Sequence, residues 1–203
     1  MDFYNNVILP RLCHLAMRNR RLVPYRERVI GGAEGRVLEI GIGSGLSLPF
    51  YCAPVTDIVA LEPAPALIAM ARRSVQPPIL ISFIEGSAET IPLDVHSIDT
   101  VVTTWTLCTI PHVATALGEM RRVLKPGGRL LFVEHGLAPD ESVRRWQDRL
   151  TPAWACFSGG CHLNRPIRTI IERAGFHCER LETGYMPGPK PMTFICEGSA
   201  RPD

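Results

Sequence analysis

The sequence predicts an α/β protein whose parallel sheet is linked by crossover connections. Three observations predict it. Strand-like and helix-like stretches alternate through most of the 203 residues, which demands crossovers between parallel strands. Arg36 to Gly45 reads Arg-Val-Leu-Glu-Ile-Gly-Ile-Gly-Ser-Gly, an apolar run breaking into glycines at alternate positions. That is how a buried parallel strand looks when it feeds a tight turn lying against a ligand. Finally, two strand-like runs near the end of the chain are joined by a Pro/Gly loop, as in an antiparallel hairpin at one sheet edge.

Taken in order, strands are predicted over Arg36 to Ile40, Asp57 to Glu62, Ile79 to Glu85, Ile98 to Thr104 and Arg129 to Glu134. Helices fall over Pro65 to Ser74 and Val113 to Leu124, the latter stopped by Lys125-Pro-Gly-Gly128. A charged helix over Glu141 to Leu150 runs into Thr151 to Arg165, rich in Gly, Cys, Trp and Pro, which reads as an irregular insert. A helix over Pro166 to Ala174 then precedes strands over Cys178 to Thr183 and Met192 to Glu197. The expected organisation is a single domain, 1–203, with an N-terminal helical cap at 1–33 and a substrate-side insert at 140–165.

The apolar runs are strand-length, so no transmembrane segment is expected. Met1 to Pro10 lacks the basic region and apolar stretch of a signal peptide. Seven scattered cysteines, an odd number, suit reduced thiols in a cytoplasm. A net charge of +2 argues against a nucleic-acid partner. Locally, Arg11, Arg18, Arg20, Arg21, Arg26 and Arg28 crowd the N-terminal segment and read as a solvated helix face rather than a contact with an anionic membrane or substrate.

The glycine spacing separates two kinds of ligand. A dinucleotide fingerprint needs glycine at 41, 43 and 46, and position 46 is Leu. Glycines at 41, 43 and 45 preceded by Glu39 instead resemble the first motif of class I S-adenosylmethionine (SAM) methyltransferases. The logic fits, because SAM has no pyrophosphate but carries a sulfonium and an ammonium, for which Glu39 is a sensible neighbour. About twenty residues on, Ala60-Leu-Glu-Pro63 ends the second strand where an acid can chelate both ribose hydroxyls, so Glu62 is the expected adenosine anchor with Pro63 beside it. In the segment Phe83 to Pro92 this chain has Ser87 where many family members place an Asp, so adenine recognition is expected from Ser87, Ala88 and Glu89. By the same resemblance Thr104 and Leu107, at the end of the fourth strand, are expected beside the methionine moiety. The resemblance implies SAM as cofactor, S-adenosylhomocysteine as product, and a Rossmann-like seven-stranded sheet with a reversed last strand and helices on both faces.

A narrower likeness covers Leu107-Cys108, Arg122 to Gly128, Glu134-His135, Pro152 to Trp154, Gly160-Cys161 and Leu163 to Arg165. Together these resemble the methyltransferase-like protein 7 group, whose members methylate small thiols. The hydrophobic N-terminal anchor of its human members has no counterpart in Phe3 to Arg28, which is broken by charges and by Pro10 and Pro24, so a soluble, cytoplasmic protein is expected.

Since the sulfonium methyl is already activated, the protein must align an acceptor, exclude water and let the acceptor lose a proton. A thiol needs only a nearby imidazole. His135 and His162 are the candidate bases, with His112 a third; each is equally a histidine bonded to local backbone. Tyr4, Cys108, Trp154 and Cys161 are candidate acceptor contacts, against core or packing roles. Trp105, Trp146 and Phe157 read as core or pocket wall. Cys156, Cys161 and His162 lack the second ligand pair of a zinc site, so no metal is expected. The expected function is methyl transfer to a small apolar acceptor, a thiol before an oxygen or carbon of a quinone- or polyketide-like metabolite. A non-catalytic SAM-binding protein is the reading from another class, and a monomer or homodimer is expected.

Overall fold

The computed structural model describes residues 4–203; Met1 to Phe3 of the expected cap lie outside the described residues. Seven strands form one sheet: β1 (Gly35–Ile40), β2 (Val55–Glu62), β3 (Leu80–Glu85), β4 (Ile98–Thr104), β5 (Leu124–His135), β6 (Phe176–Tyr185) and β7 (Phe194–Pro202). Their order is β3-β2-β1-β4-β5-β7-β6. β1 to β5 pair in parallel, and β7 runs antiparallel to both β5 and β6. This is the mostly parallel sheet with a reversed last strand that the resemblance implied. The chain leaves β1 toward β2 and β3, then returns to β4 on the other side of β1. At such a reversal the strand ends part into a crevice, where ligands bind in open α/β sheets.

The central strands are apolar at consecutive positions because both faces are covered. Val37 and Leu38 of β1 point into opposite clusters, as do Leu130 and Leu131 of β5. One face receives α4 (Val113–Val123), through Ala116, Leu117, Met120 and Val123, and α6 (Ile167–Arg173), through Ile167 and Ile171. The other receives Val29 and Ile30 of α2 (Val23–Ile30) and Ala71 of α3 (Pro65–Ala71). Preceding them, α1 (Leu9–Met17) turns one side to the strand ends rather than to the sheet.

Three segments differ from expectation. The helix after β5, α5 (Glu141–Phe157), runs seven residues past the expected stop at Leu150, carrying Pro152 in its interior. Its buried positions Val143, Gln147 and Thr151 keep a four-residue spacing, so tertiary burial outweighs the proline's missing N–H. Gln147 fixes the helix: its Oε1 accepts Ala138 N–H at 3.0 Å, and its Nε2 donates to the Gly136 and Leu163 carbonyls at 3.0 and 2.9 Å. Secondly, Lys125 to Gly128 is a register irregularity inside β5 rather than a turn before it, with Gly127 at φ +81°. Thirdly, the hairpin loop contains a short α7 (Lys190–Thr193), and β7 begins at Phe194 instead of Met192. Among the described residues no helix is long and apolar enough to cross a membrane.

Candidate active site

A cavity of about 640 Å³ opens over the C-terminal ends of β1, β2, β4 and β5, with α1 forming one wall and the end of α5 another. Its floor is the turn after β1. Gly41 and Gly43 line it, at φ +68° and +57°, a conformation that glycine adopts without strain. Gly45, at φ +79°, lies outside the lining, and a Cβ there would meet Ser74 Oγ at 2.5 Å and Ala71 Cα at 3.0 Å. The third glycine therefore lets the turn pack on α3.

Glu62, only 5% exposed, closes the turn from β2. Its Oε2 accepts Gly43 N–H at 3.0 Å and its Oε1 accepts Ala64 N–H at 3.1 Å. Burial raises its pKa and the two amides lower it. Each oxygen keeps a free lone pair, so the carboxylate can still accept from hydroxyls of a ligand in the cavity. Pro63, Ser87, Ala88 and Thr104 also line the cavity.

Glu39, Glu89 and Leu107 do not. Glu39 is fully buried beneath the floor, its Oε2 accepting Tyr51 OH at 2.9 Å and its Oε1 left without a partner; burial pushes its pKa up to about 7. Glu89 instead accepts His112 N–H at 2.8 Å. Leu107 is a core residue whose amide donates to Glu134 Oε1 at 3.0 Å.

At the far end, His135, Cys108, Cys161 and Trp154 converge on the cavity. Glu62 and His135 end strands three places apart, so the site extends about 14 Å across the sheet. Cys161 Sγ stands 3.5 Å from Cys108 Sγ and 3.5 Å from His135 Nδ1. Those neighbours favour charge on Cys161 and hold its pKa below the ordinary thiol value, while the same contact and burial push Cys108 up. Buried Glu134 positions this end. It accepts the amides of Thr106, Leu107 and Cys108 at 3.0, 3.0 and 3.2 Å, which fixes the loop after β4, and burial raises its pKa to about 7 against those donors.

Other candidates are placed elsewhere. His162 lies outside the cavity lining, its Nδ1 bonded to the Gly160 carbonyl at 2.7 Å and its amide to the Cys108 carbonyl at 2.8 Å. Tyr4 is also outside, its hydroxyl donating to the Phe157 carbonyl at 3.4 Å. Cys156 is exposed and does not meet His162; Cys161 meets Cys108 and His135 instead. Trp146, expected in core or pocket wall, is 54% exposed on the outer face of α5 with Arg149 over its ring. Phe157, also largely exposed, edges the cavity, and Trp105 belongs to both core and lining.

Sequence reasoning missed Arg26. Rather than joining a solvated face, it is 3% exposed, with its Cζ 5.1 Å from the Trp105 ring centroid and its Nε without a partner. It is the only Arg or Lys lining the cavity among the described residues. Burial lowers its pKa to about 10, and Glu39 partly offsets this. Its position three residues before Val29, on the buried side of α2, is the signal that identifies it. His14 was missed too; its Nδ1 pairs with Ser44 Oγ at 2.7 Å, tying α1 to the glycine turn.

A family model described as "Methyltransferase domain" matches residues 38–132. The chain is similar to thiol S-methyltransferase TMT1B of Rattus norvegicus, 35% identical over 161 residues that cover 77% of this chain and 65% of that protein. Thiol S-methyltransferase TMT1A of Homo sapiens is 31% identical over 189 residues, covering 89% and 75%. A demethylmenaquinone methyltransferase of Clavibacter sepedonicus is 30% identical over 113 residues, covering 56% and 46%. In structure, a SAM-dependent methyltransferase from Thermotoga maritima superposes with a TM-score of 0.67 at 20% identity, covering 96% of this chain and 97% of that one.

Proposed function

The chain belongs to the class I SAM-dependent methyltransferases, and from that premise we propose that it transfers the methyl group of SAM to a small apolar thiol. Glu62 takes the ribose hydroxyls, Gly43, whose Cβ direction is open, admits the cofactor backbone-close, Gly41 beside it lets the turn pack on Thr106, and Ser87 and Ala88 meet the adenine. Arg26 takes the cofactor carboxylate, with the buried acid of Glu39 below it. The cofactor would supply an activated methyl group to an acceptor held at the β4 and β5 ends, where Trp154, Cys108 and Cys161 would meet it and His135 would take its proton.

The choice of thiol rests on one observation. Among the described residues lining the cavity, Glu62 is the only carboxylate, held by two amides about 14 Å across the sheet from His135. Among the described residues lining the acceptor end, the titratable groups are an imidazole and thiols. An imidazole suffices for a thiol of pKa about 8.5 but is poorly matched to an aliphatic hydroxyl. The likeness to the thiol S-methyltransferases agrees with this choice. A second reading, methylation of a quinone-like ring at oxygen or carbon, is favoured by the likeness to the demethylmenaquinone methyltransferase.

Incubation of the purified chain with methyl-labelled SAM and matched panels of thiols, phenols and amines separates the two. The expected product is a thioether. Labelling confined to phenols or ring carbons overturns the thiol reading and leaves the family assignment intact.

A further inference from the structure

We propose that Cys108, His135 and Cys161 form a zinc site whose open fourth position faces the cavity and takes the acceptor as its thiolate. The metal site stands on geometry alone; its use for the acceptor rests on the thiol reading above. The three residues come from separate places in the chain: the loop after β4, the last residue of β5 and the loop after α5. Their donor atoms lie within 4.8 Å of one another.

The spacing is that of a metal site. A tetrahedral zinc with Zn–S of about 2.3 Å and Zn–N of about 2.0 Å sets its sulfurs about 3.8 Å apart and sulfur and nitrogen about 3.5 Å apart. Two edges of the triad, Cys161 to Cys108 and Cys161 to His135, are both 3.5 Å. The third, Cys108 to His135, is within 4.8 Å and would have to settle at about 3.5 Å around a bound ion.

The support is built independently of any ion. Glu134 holds the Cys108 loop through three amides, and His162 N–H donates to the Cys108 carbonyl at 2.8 Å, which ties the Cys161 loop to it. Both cysteines are free thiols. Two thiolates and an imidazole form a soft donor set suited to zinc rather than magnesium or calcium. Three protein ligands with one open position is the arrangement of catalytic rather than structural zinc. Two thiolates neutralise the dication, and the guanidinium of Arg165, which donates to the Leu107 carbonyl next to Cys108, adds positive charge beside the site.

With zinc bound, His135 is a ligand through Nδ1 and replaces the base role given to it above: the acceptor R–SH gives its proton to water as its sulfur displaces a water from the open position. A lone pair on that sulfur forms the bond to the SAM methyl carbon. The carbon–sulfonium bond breaks with its electrons left on the cofactor sulfur. R–S–CH3 and S-adenosylhomocysteine result, and the neutral thioether, a poor ligand, leaves.

Cobalt(II) and zinc binding by the purified full chain tests this. Stripped protein is expected to take up one zinc per chain, and cobalt in its place is expected to show sulfur-to-metal charge-transfer bands and the intense visible absorption of a tetrahedral thiolate site. Cys161→Ala and His135→Ala, with folding checked by circular dichroism, should each lose at least about the hundredfold in zinc affinity that loss of an outer-shell partner can reach. Adding an apolar thiol should shift the cobalt spectrum, while its hydroxyl isostere should not. No uptake, or uptake unchanged in both variants, overturns the site; thiol turnover by the same metal-free protein would show that the thiol reading survives. Uptake with a spectrum that no thiol shifts overturns the open-position role, and the labelled-SAM assay on that preparation tells whether the thiol reading falls with it.

Discussion

The Gly43 amide donates to the Glu62 carboxylate at 3.0 Å, so the turn after β1 and the end of β2 are locked together at the place where a nucleoside would lie. The bond holds the turn, and in the proposed function the same carboxylate also accepts the ribose hydroxyls. Glu62→Gln is nearly isosteric but removes the charge and sets its NH2 against either the Gly43 or the Ala64 amide, so one turn bond is lost with the ligand acceptor. Hydrogen bonds to charged groups contribute about 1.5 to 3 kcal/mol each, so SAM affinity should fall by about tenfold to a hundredfold. Calorimetry measures this. Unchanged affinity would remove Glu62 from the cofactor site.

The glycines of the same turn should fail differently. A Cβ at Gly43 meets only the Gly41 carbonyl, at 3.9 Å, and otherwise projects into open space, whereas one at Gly45 collides with Ser74 and Ala71. Gly43→Val should leave a folded protein, strained by its φ of +57°, that no longer binds SAM. Gly45→Val should instead lower the melting temperature. A Gly43 variant that binds SAM normally would contradict the proposed seat of the cofactor.

Arg26→Met retains the packing on Trp105 but removes the cation. If the guanidinium takes the cofactor carboxylate, SAM and S-adenosylhomocysteine should both weaken by about tenfold or more, while adenosine, which lacks the carboxylate, should bind as before. Equal loss for all three ligands would mean that Arg26 is structural.

Much of the fold was legible because local pattern and tertiary demand agree there. β4 runs over Ile98–Thr104 as expected, and β1, β2, β3 and α4 match with small shifts at their ends, since runs of consecutive apolar residues admit few other structures; β5 instead starts five residues early, at Leu124. Where burial overrides a local breaker, the sequence misleads: Pro152 reads as a stop, yet the four-residue spacing of Val143, Gln147 and Thr151 carries α5 through it. The acid before the glycines was visible, but not that Glu39 lies under the floor. Likewise Cys161 was paired with its chain neighbours Cys156 and His162, whereas its partners come from β5 and the loop after β4, contacts no local spacing encodes.

Glu39 and Glu134 give stability a definite pH dependence. Both are fully buried, with pKa values raised from 4.5 to about 7. Below pH 4.5 both folded and unfolded forms are protonated and no penalty arises. Between about 4.5 and 7 the unfolded chain releases protons that the folded chain keeps, so stability falls as pH rises, then levels off. Glu39→Gln, which still accepts from Tyr51, should flatten the decline in melting temperature between pH 5 and 7.5; a slope identical to that of the unmutated chain would show that Glu39 stays ionised.

The acceptor end makes the most exposed prediction. His135 is half-buried, lines the cavity and stands 3.5 Å from Cys161, whereas His162 is committed to the Gly160 carbonyl. An apolar thiol should therefore be methylated faster than its hydroxyl isostere, because a thiolate forms far more readily than an alkoxide. His135→Ala should lower thiol methylation by about a hundredfold, within the usual range for loss of an acid–base group; the same loss is expected of a zinc ligand, and metal uptake by the variant tells the two roles apart. His162→Ala, altering a backbone-bonded residue outside the cavity, should change it little. The rate should climb with pH toward the thiol's own pKa, and the slope of that climb should steepen in His135→Ala, since only acceptor already ionised in solution then reacts. Full activity in His135→Ala together with loss in His162→Ala would reverse the two assignments and require the loop after α5 to turn inward when the acceptor binds.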